Sequence, residues 1–155
     1  MEITNLKMKK CLNGGDAYRR KSIGEQIVAS ILDDLNINYF YDVSCDNLKG
    51  VKNGTLRFDF CIPIDQNCKT LNECLSSNGK YIILEYNGIF HYHIIKGKTT
   101  KYTLTKQQMN DYIKDAFCRL HKISILWIPY WYHAKSIQES VNDFISSYII
   151  QKKES

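Results

Sequence analysis

Apolar residues recur at helical spacing in three segments of the chain. A separation of three or four residues places them on one face of an α-helix. The apolar positions are Ile23, Ile27, Val28, Ile31, Leu32 and Leu35 in the first segment, Met109, Tyr112, Ile113, Ala116, Phe117 and Leu120 in the second, and Ile137, Val141, Phe144, Ile145, Tyr148 and Ile149 in the third. The pattern predicts three amphipathic helices.

A capping box is predicted at the start of each of these helices. In this motif a Ser or Thr precedes the first turn, and a Glu or Gln three residues later reaches back to its backbone N–H. The pairs that fit are Ser22 with Glu25, Thr105 with Gln108, and Ser136 with Glu139. They predict where each helix begins.

Four shorter segments have the pattern of β-strands. Residues 39–43 and 56–61 alternate between two sets of side chains, as strands with two different faces do. Residues 81–86 form an apolar run that ends in a Glu and a Tyr. Residues 123–128 are almost continuously apolar, which predicts a strand buried on both faces inside a sheet.

The order of the predicted elements is α-β-β-β-α-β-α. Between them, residues 46–54 predict a turn, residues 65–79 a long polar connection and residues 96–103 a basic loop. This order predicts an α/β fold with a mixed central sheet flanked by helices and an extra C-terminal helix. We expect one domain over residues 22–151 and a basic flexible arm over residues 1–21.

The charge balance of the chain is mildly basic. Lys and Arg number 21 against 16 Asp and Glu, which gives a formal net charge of +5. This excess suits a polyanionic partner such as nucleic acid, although many proteins of similar charge bind none. No apolar run approaches the roughly 20 residues that cross a bilayer, and no signal-peptide pattern is present. We therefore expect a protein that is intracellular, cytoplasmic or nuclear, not secreted and not bound to a membrane.

Six cysteines lie along the chain without paired metal-binding spacing. Zinc sites usually contain short C-x-x-C repeats, and Cys61, Cys68 and Cys74 do not form one. Because an intracellular protein keeps its thiols reduced, we expect all six to be free thiols.

Two carboxylates stand on predicted strands where a charge is expensive to bury. Asp59 lies on an otherwise apolar strand and Glu85 ends an apolar run, so each needs a compensating partner. One alternative is a salt bridge, for which Arg57 is the obvious partner of Asp59. The other is a divalent cation, because Mg²⁺ is commonly bound by one or two carboxylates together with water and phosphate.

Further candidates follow from strand and helix geometry. The period of two places Asn87 on the face of Glu85 and points Tyr86 the other way. Glu25 lies near the edge of its helix stripe, where the capping role and a role over the sheet are both open. Asp111 and Lys114 are spaced to form an exposed ion pair on the second helix.

The ordered set of motifs resembles a family of nucleases. The motifs are Arg57-Phe58-Asp59-Phe60, Ile83-Leu84-Glu85-Tyr86-Asn87-Gly88 followed by His91-Tyr92, Asn110-Asp111-x-x-Lys114 with Cys118, and Ile128-Pro129-Tyr130. Together they resemble PD-(D/E)XK proteins, restriction-endonuclease-like in fold, and among them short endonucleases of the very-short-patch-repair type from phages, bacteria and large DNA viruses. The resemblance covers residues 22–132, and the predicted element order matches the αβββαβ core of that family.

The resemblance implies metal-dependent hydrolysis of phosphodiester bonds. It implies that Asp59, Glu85 and the carbonyl of Tyr86 bind Mg²⁺ or Mn²⁺, and that Glu25 supports the metal or its water. Asp111 and Lys114 would face the site from the second helix. Nucleic-acid contacts are expected at Arg57, His91, His93, Lys96, Lys98, Lys101 and Asp111.

Two positions depart from the family pattern. The signature lysine two residues after the second acid is Asn87 here, and Lys114 is the candidate replacement. Phe90 stands where relatives often carry Gln. We expect a DNA endonuclease in viral or mobile-element DNA processing or repair, with DNA favoured over RNA. A junction resolvase, an RNA endonuclease of the same fold, an inactive nucleic-acid-binding subunit and a homodimeric assembly are the open alternatives.

Overall fold

A four-stranded mixed sheet lies at the centre of the computed structural model, which describes residues 8–14, 22–76 and 80–150. The elements of the described part are α1 (Ile23–Asp34), β1 (Phe40–Lys49), β2 (Thr55–Pro63), α2 (Leu71–Leu75), β3 (Tyr81–Asn87), α3 (Lys101–Leu120), β4 (Ile125–Pro129) and α4 (Ala134–Tyr148). The strands are ordered β1-β2-β3-β4. The first three are antiparallel, and β4 runs parallel to β3.

Helices cover both faces of this sheet. One buried cluster joins α1 and α4 to the first face, and its members include Val28, Leu32, Phe60, Leu84, Val141 and Ile145. The other joins α2 and α3 to the second face, and its members include Phe40, Phe58, Cys61, Cys74, Ile83 and Cys118. The predicted mixed α/β architecture, a mixed sheet flanked by helices, is confirmed.

The predicted caps hold for one helix and fail for two. Ser22 and Glu25 form the capping box of α1. Helix α3 begins earlier than predicted, because Thr100 already forms a reciprocal pair of hydrogen bonds with Thr103. Helix α4 also begins earlier, since the ring of His133 accepts the N–H of Ser136 in the first turn. The prediction of Thr105 and Ser136 as caps is therefore wrong.

Three strand and loop predictions also differ from the structure. Strand β1 continues to Lys49 because its backbone pairs with β2, so the turn predicted over residues 46–54 is shorter. The connection over residues 65–79 contains the short helix α2. Strand β4 is an edge strand of the described sheet and is half-buried over its first three residues. Its apolar sequence is explained by the helices above and below it.

The face of α3 that meets the sheet is not the predicted one. Met109, Tyr112 and Leu120 are 51%, 69% and 79% exposed, whereas Lys114 and Cys118 are buried. Ile113 and Phe117 pack against the core as expected. The helix is rotated from the predicted orientation because a polar partner for Lys114 lies on the sheet.

Part of the segment predicted as a flexible arm is held against the domain. Met8 is buried, the N–H of Leu12 donates to the carbonyl of Tyr39 at 2.8 Å, and the N–H of Lys10 donates to Asp33 at 2.9 Å. Cys11 forms a parallel one-residue bridge with Tyr39. The remainder of the predicted arm, residues 1–7 and 15–21, and residue 151 lie outside the described residues.

None of the six cysteines, all of which lie within the described residues, is in a disulfide, as predicted. Within the described ranges, no helix combines the length and the apolar character that a bilayer span requires.

Candidate active site

Strands β2 and β3 separate at Asp59 and Glu85. Their regular pairing runs from Pro63–Tyr81 to Phe60–Leu84. Beyond it, Glu85 Oε1 accepts the N–H of Asp59 at 2.6 Å, and Asp59 Oδ2 accepts the N–H of Tyr86 at 2.8 Å. Side-chain carboxylates thus replace the backbone ladder. The predicted approach of Asp59 and Glu85 across neighbouring strands is confirmed.

Side chains stop alternating regularly between the two faces of the sheet near Asp59 on β2 and near Asp42 on β1. Phe58 and Cys61 belong to the same core cluster although strict alternation would put them on opposite faces, and Phe60 belongs to the other. On β1, Asp42 has a φ of +56°, in the left-handed region. Because β2 changes the face to which its side chains point, Asp59 lies at a break in the sheet. There its carboxylate is close enough to interact with Glu25 from α1 and with Lys114 from α3.

Arg57 is not the partner of Asp59. Its Nε lies 2.7 Å from Asp42 Oδ1, and its Nη2 donates to the carbonyl of Asp42 at 2.6 Å. The predicted Arg57–Asp59 salt bridge is therefore wrong, because the kink at Asp42 brings a nearer carboxylate to the guanidinium.

Both carboxylates resist ionisation in this setting. Burial, followed by repulsion from Glu85 and Glu25, raises the pKa of Asp59 well above its usual value. Burial also raises the pKa of Glu85, although the Lys114 ammonium opposes the shift. Three carboxylates around one lysine leave an excess of negative charge, which a cation would stabilise.

Lys114 reaches this site from α3. Its Nζ lies 2.9 Å from Glu85 Oε2, and the side chains of the two residues are 10% and 2% exposed. The ammonium also lies 5.8 Å from the centre of the Phe58 ring. The exposed Asp111–Lys114 ion pair is therefore not formed. The Lys114 ammonium points into the site, and its catalytic role remains a prediction.

Glu25 forms the predicted cap and also reaches the sheet, and its support of a metal remains a prediction. Its Oε2 accepts the N–H of Ser22 at 3.0 Å, which closes the capping box. Its Oε1 accepts the Tyr41 hydroxyl at 3.1 Å, and its charge contributes to the raised pKa of Asp59. Burial and then Glu25 raise the pKa of Tyr41, which therefore stays a proton donor. Tyr41 was not predicted as a site residue, since the β1–β2 register that brings it here leaves no local signal in the sequence.

Gly24 lets the first helix approach the site closely. A Cβ at this position would lie 2.0 Å from Cζ of Tyr86, so the ring occupies the space that a side chain would need. Tyr86 packs against the α1 layer, on the face opposite Glu85, as the period of two predicts. Contact between Gly24 and Tyr86 fixes the position of Glu25 relative to β3.

Asn87 lies on the same strand face as Glu85 and is buried. Its Nδ2 lies 3.5 Å from the Tyr92 hydroxyl, and its Oδ1 has no hydrogen-bond partner within the described residues. An oxygen of this kind usually serves a ligand or an ordered water. Beside it is an open cavity of about 320 Å³, whose lining residues are Asn87, His91, Tyr92, Gln108, Asp111, Tyr112, Asp115 and Trp127.

His91 and Asp111 form a pair at the rim of this cavity. His91 Nδ1 lies 2.8 Å from Asp111 Oδ2, and Gln107 donates to the other oxygen of Asp111 at 3.2 Å. The sequence predicted that both residues lie near the site, but not that they contact each other. His93 lies further out, with its ring centre 5.8 Å from that of Tyr130.

The three lysines predicted to bind nucleic acid lie on the surface, before and at the start of α3. Lys96 and Lys98 are exposed on a tight turn before α3, and Lys101 is exposed in its first turn. Gly97 in that turn has a φ of +80°, which favours glycine. The structure therefore separates the predicted residues into a buried carboxylate site and a basic surface.

The donor set of the site fits a hard divalent cation. Among the described residues, no three His, Cys, Asp or Glu side chains converge as a ligand group. Magnesium sites that act on phosphates commonly use only one or two carboxylates and complete the shell with water and substrate. Asp59 and Glu85 provide hard oxygen donors of this type. Asn87 Oδ1, which has no hydrogen-bond partner among the described residues, lies two positions further along the same strand face.

No family model, curated protein or solved structure matches the chain.

Proposed function

We propose that the chain is a metal-dependent nuclease of the PD-(D/E)XK class that hydrolyses phosphodiester bonds. The observation that carries the proposal is the break between β2 and β3, where Asp59 and Glu85 face each other beside the buried ammonium of Lys114. Two acids on adjacent strands, with an ammonium from α3 beside them, are groups that can hold a metal ion and stabilise charge on a phosphate.

The order and direction of the elements support a restriction-endonuclease-like core. Helix α1 is followed by three antiparallel strands, then by α3 and by β4 parallel to β3. This order supports the αβββαβ core that the motifs predict, with α4 as the extra C-terminal helix. Helix α2 is an insertion between β2 and β3.

The metal proposed for this site is Mg²⁺ or Mn²⁺. Asp59, Glu85 and the carbonyl of Tyr86 would hold it, and Glu25 would support it or its water. When bound, such an ion lowers the pKa of a coordinated water and neutralises charge on the phosphate. The excess of carboxylate charge around Asp59 supports this assignment.

Lys114 is proposed to take the place of the signature lysine that Asn87 replaces. It reaches Glu85 from the helix instead of from the strand. A buried ammonium next to the carboxylates would stabilise negative charge that develops on the phosphate. Asn87 would position water or phosphate through its amide.

The proposed substrate is DNA, cut internally in viral or mobile-element DNA processing or repair inside the cell. Structure-specific cleavage of branched DNA and cleavage of RNA are outcomes that the substrate test separates. The replacement of lysine by Asn87 favours one alternative of another class, a nuclease-like subunit that binds nucleic acid without cutting it.

A cleavage assay tests the proposal directly. The purified protein is incubated with linear, circular, single-stranded and branched DNA and with RNA, in Mg²⁺, Mn²⁺ or EDTA. We expect cleavage that EDTA stops and that Asp59→Asn abolishes, whereas Asp34→Asn, an exposed change on α1, leaves it intact. Cleavage that survives both Asp59→Asn and Glu85→Gln would refute the site. Binding without cleavage on every substrate would favour the inactive subunit.

A further inference from the structure

The positive excess of the chain is concentrated in two segments. Residues 48–58 and 92–110 contain seven Lys and Arg and no Asp or Glu. Of the 21 basic residues, 14 remain elsewhere, against all 16 acidic residues. The rest of the chain is therefore slightly acidic, and the net charge of +5 arises from these two segments.

The fold brings the two segments together although they are far apart in sequence. The N–H of Val51, at the tip of the β1–β2 hairpin, donates to Asn110 Oδ1 on α3 at 3.0 Å. Lys52 Nζ lies 5.1 Å from the centre of the Tyr102 ring in the first turn of α3. The hairpin tip is thus fixed against the helix that carries Lys114.

The lysines on this surface are available to a ligand. We give the name hairpin–helix surface to the six lysines of the two segments: Lys49, Lys52, Lys96, Lys98, Lys101 and Lys106. Within the described ranges none of them takes part in an ion pair, whereas Arg57 is paired with Asp42. A hydrogen bond with Lys52, together with the charges of Lys52 and Lys106, lowers the pKa of the Tyr102 hydroxyl.

We infer that the hairpin–helix surface binds the phosphate backbone of a nucleic-acid duplex and holds it along α3 toward the carboxylate site. The inference rests on the proposed function for its choice of partner. Twelve residues separate Tyr102 from Lys114, or about 18 Å along a helix that rises 1.5 Å per residue. At 3.4 Å per base pair, that distance corresponds to roughly five base pairs of duplex. The hairpin lysines extend the predicted contacts of Lys96, Lys98 and Lys101 into a surface that a duplex would follow.

A binding experiment in EDTA tests this surface independently of cleavage. A labelled 24-base-pair DNA duplex is titrated with the wild-type chain and with the triple variant Lys52→Ala/Lys98→Ala/Lys101→Ala. The measurements cover a range of salt concentrations. Because each lost phosphate contact changes the slope of log K against log salt by about 0.9, three should flatten it by about 2.7. We expect Kd to rise at least tenfold.

The matched control removes the same charge elsewhere. Lys69→Ala/Lys80→Ala/Lys135→Ala changes three exposed lysines outside the surface and should leave both the slope and Kd close to wild type. Circular dichroism melting verifies that both variants are folded. An equal loss of affinity for duplex RNA would support a shared contact with phosphate.

Three results would overturn the inference: unchanged affinity in the triple variant, an equal loss in the control, or wild-type binding to phosphatidylserine vesicles without binding to the duplex. Each of them leaves a measured metal-dependent cleavage standing. Conversely, a specific loss of duplex binding in a protein that cuts nothing would support the surface and refute the proposed function.

Discussion

Replacing Lys114 by Met tests the central ion pair of the site. The change keeps most of the buried stem and removes the ammonium that lies 2.9 Å from Glu85 Oε2. Removing one partner of a buried pair destabilises a protein by about 3–5 kcal/mol. We expect the lower end, about 3 kcal/mol, because the N–H of Asp59 still donates to Glu85. At roughly 2–4 °C per kcal/mol for a chain of this length, Tm should fall by about 6–12 °C.

The fall in Tm caused by Lys114→Met should be larger at neutral pH than in acid. Lys114 lowers the pKa of Glu85 against the effect of burial, so its removal raises that pKa further. The folded variant then binds a proton at a pH where the unfolded chain does not. Protonation neutralises the uncompensated charge. The Tm deficit of the variant should therefore be largest near neutral pH and shrink toward about pH 5.

The double variant Lys114→Met/Glu85→Gln is the control, since it removes both charges and should recover most of the lost Tm. A deficit below about 2 °C at neutral pH, or one that grows in acid, would refute this account of the pair. In the cleavage assay, Lys114→Met should reduce the rate by about 10²–10³-fold, and adding Asn87→Lys should restore part of it. Cleavage at the wild-type rate would show that Lys114 is not the replacement lysine.

The other predictions concern the carboxylates and the helix beside them. Asp59→Asn should abolish cleavage while Tm in EDTA stays at or above wild type. The change removes a half-buried acid whose raised pKa disfavours the folded state above the usual carboxyl range; a large fall in Tm would contradict this. Glu25→Gln should reduce cleavage with little change in Tm, since Gln still closes the capping box; unchanged cleavage would limit Glu25 to capping. Gly24→Ala should lower stability by about 1–3 kcal/mol in a denaturant titration, because its methyl group would overlap the Tyr86 ring; an unchanged midpoint would show that the ring moves aside freely.

The pattern of the sequence was sufficient to predict the order of the major elements and the two central acids. Helix and strand periods are local, so 3.6-residue and two-residue repeats predicted α1, the strands and the C-terminal helix. Asp59 and Glu85 were identifiable because a charge on an apolar strand needs a partner. The position of Asn87 opposite Tyr86 followed from the same period.

Side-chain partners were decided by contacts between distant segments. The positions of the apolar residues on α3 placed Lys114 on the polar face of the helix, but its pairing with Glu85 buries it. Arg57 had a neighbouring acid on its own strand, yet the β1–β2 register supplies Asp42. Such contacts depend on register and helix rotation, which many sequences with the same periodicity could satisfy differently.

The basic surface illustrates the same division. The two segments that lack acidic residues can be read directly from the sequence. That they lie side by side is seen only in the structure, in the hydrogen bond from Val51 to Asn110 and in the contact of Lys52 with Tyr102. The sequence by itself determined which charges are present and which elements carry them. The tertiary structure decided which charges are neighbours, because electrostatic interactions depend on distance in space.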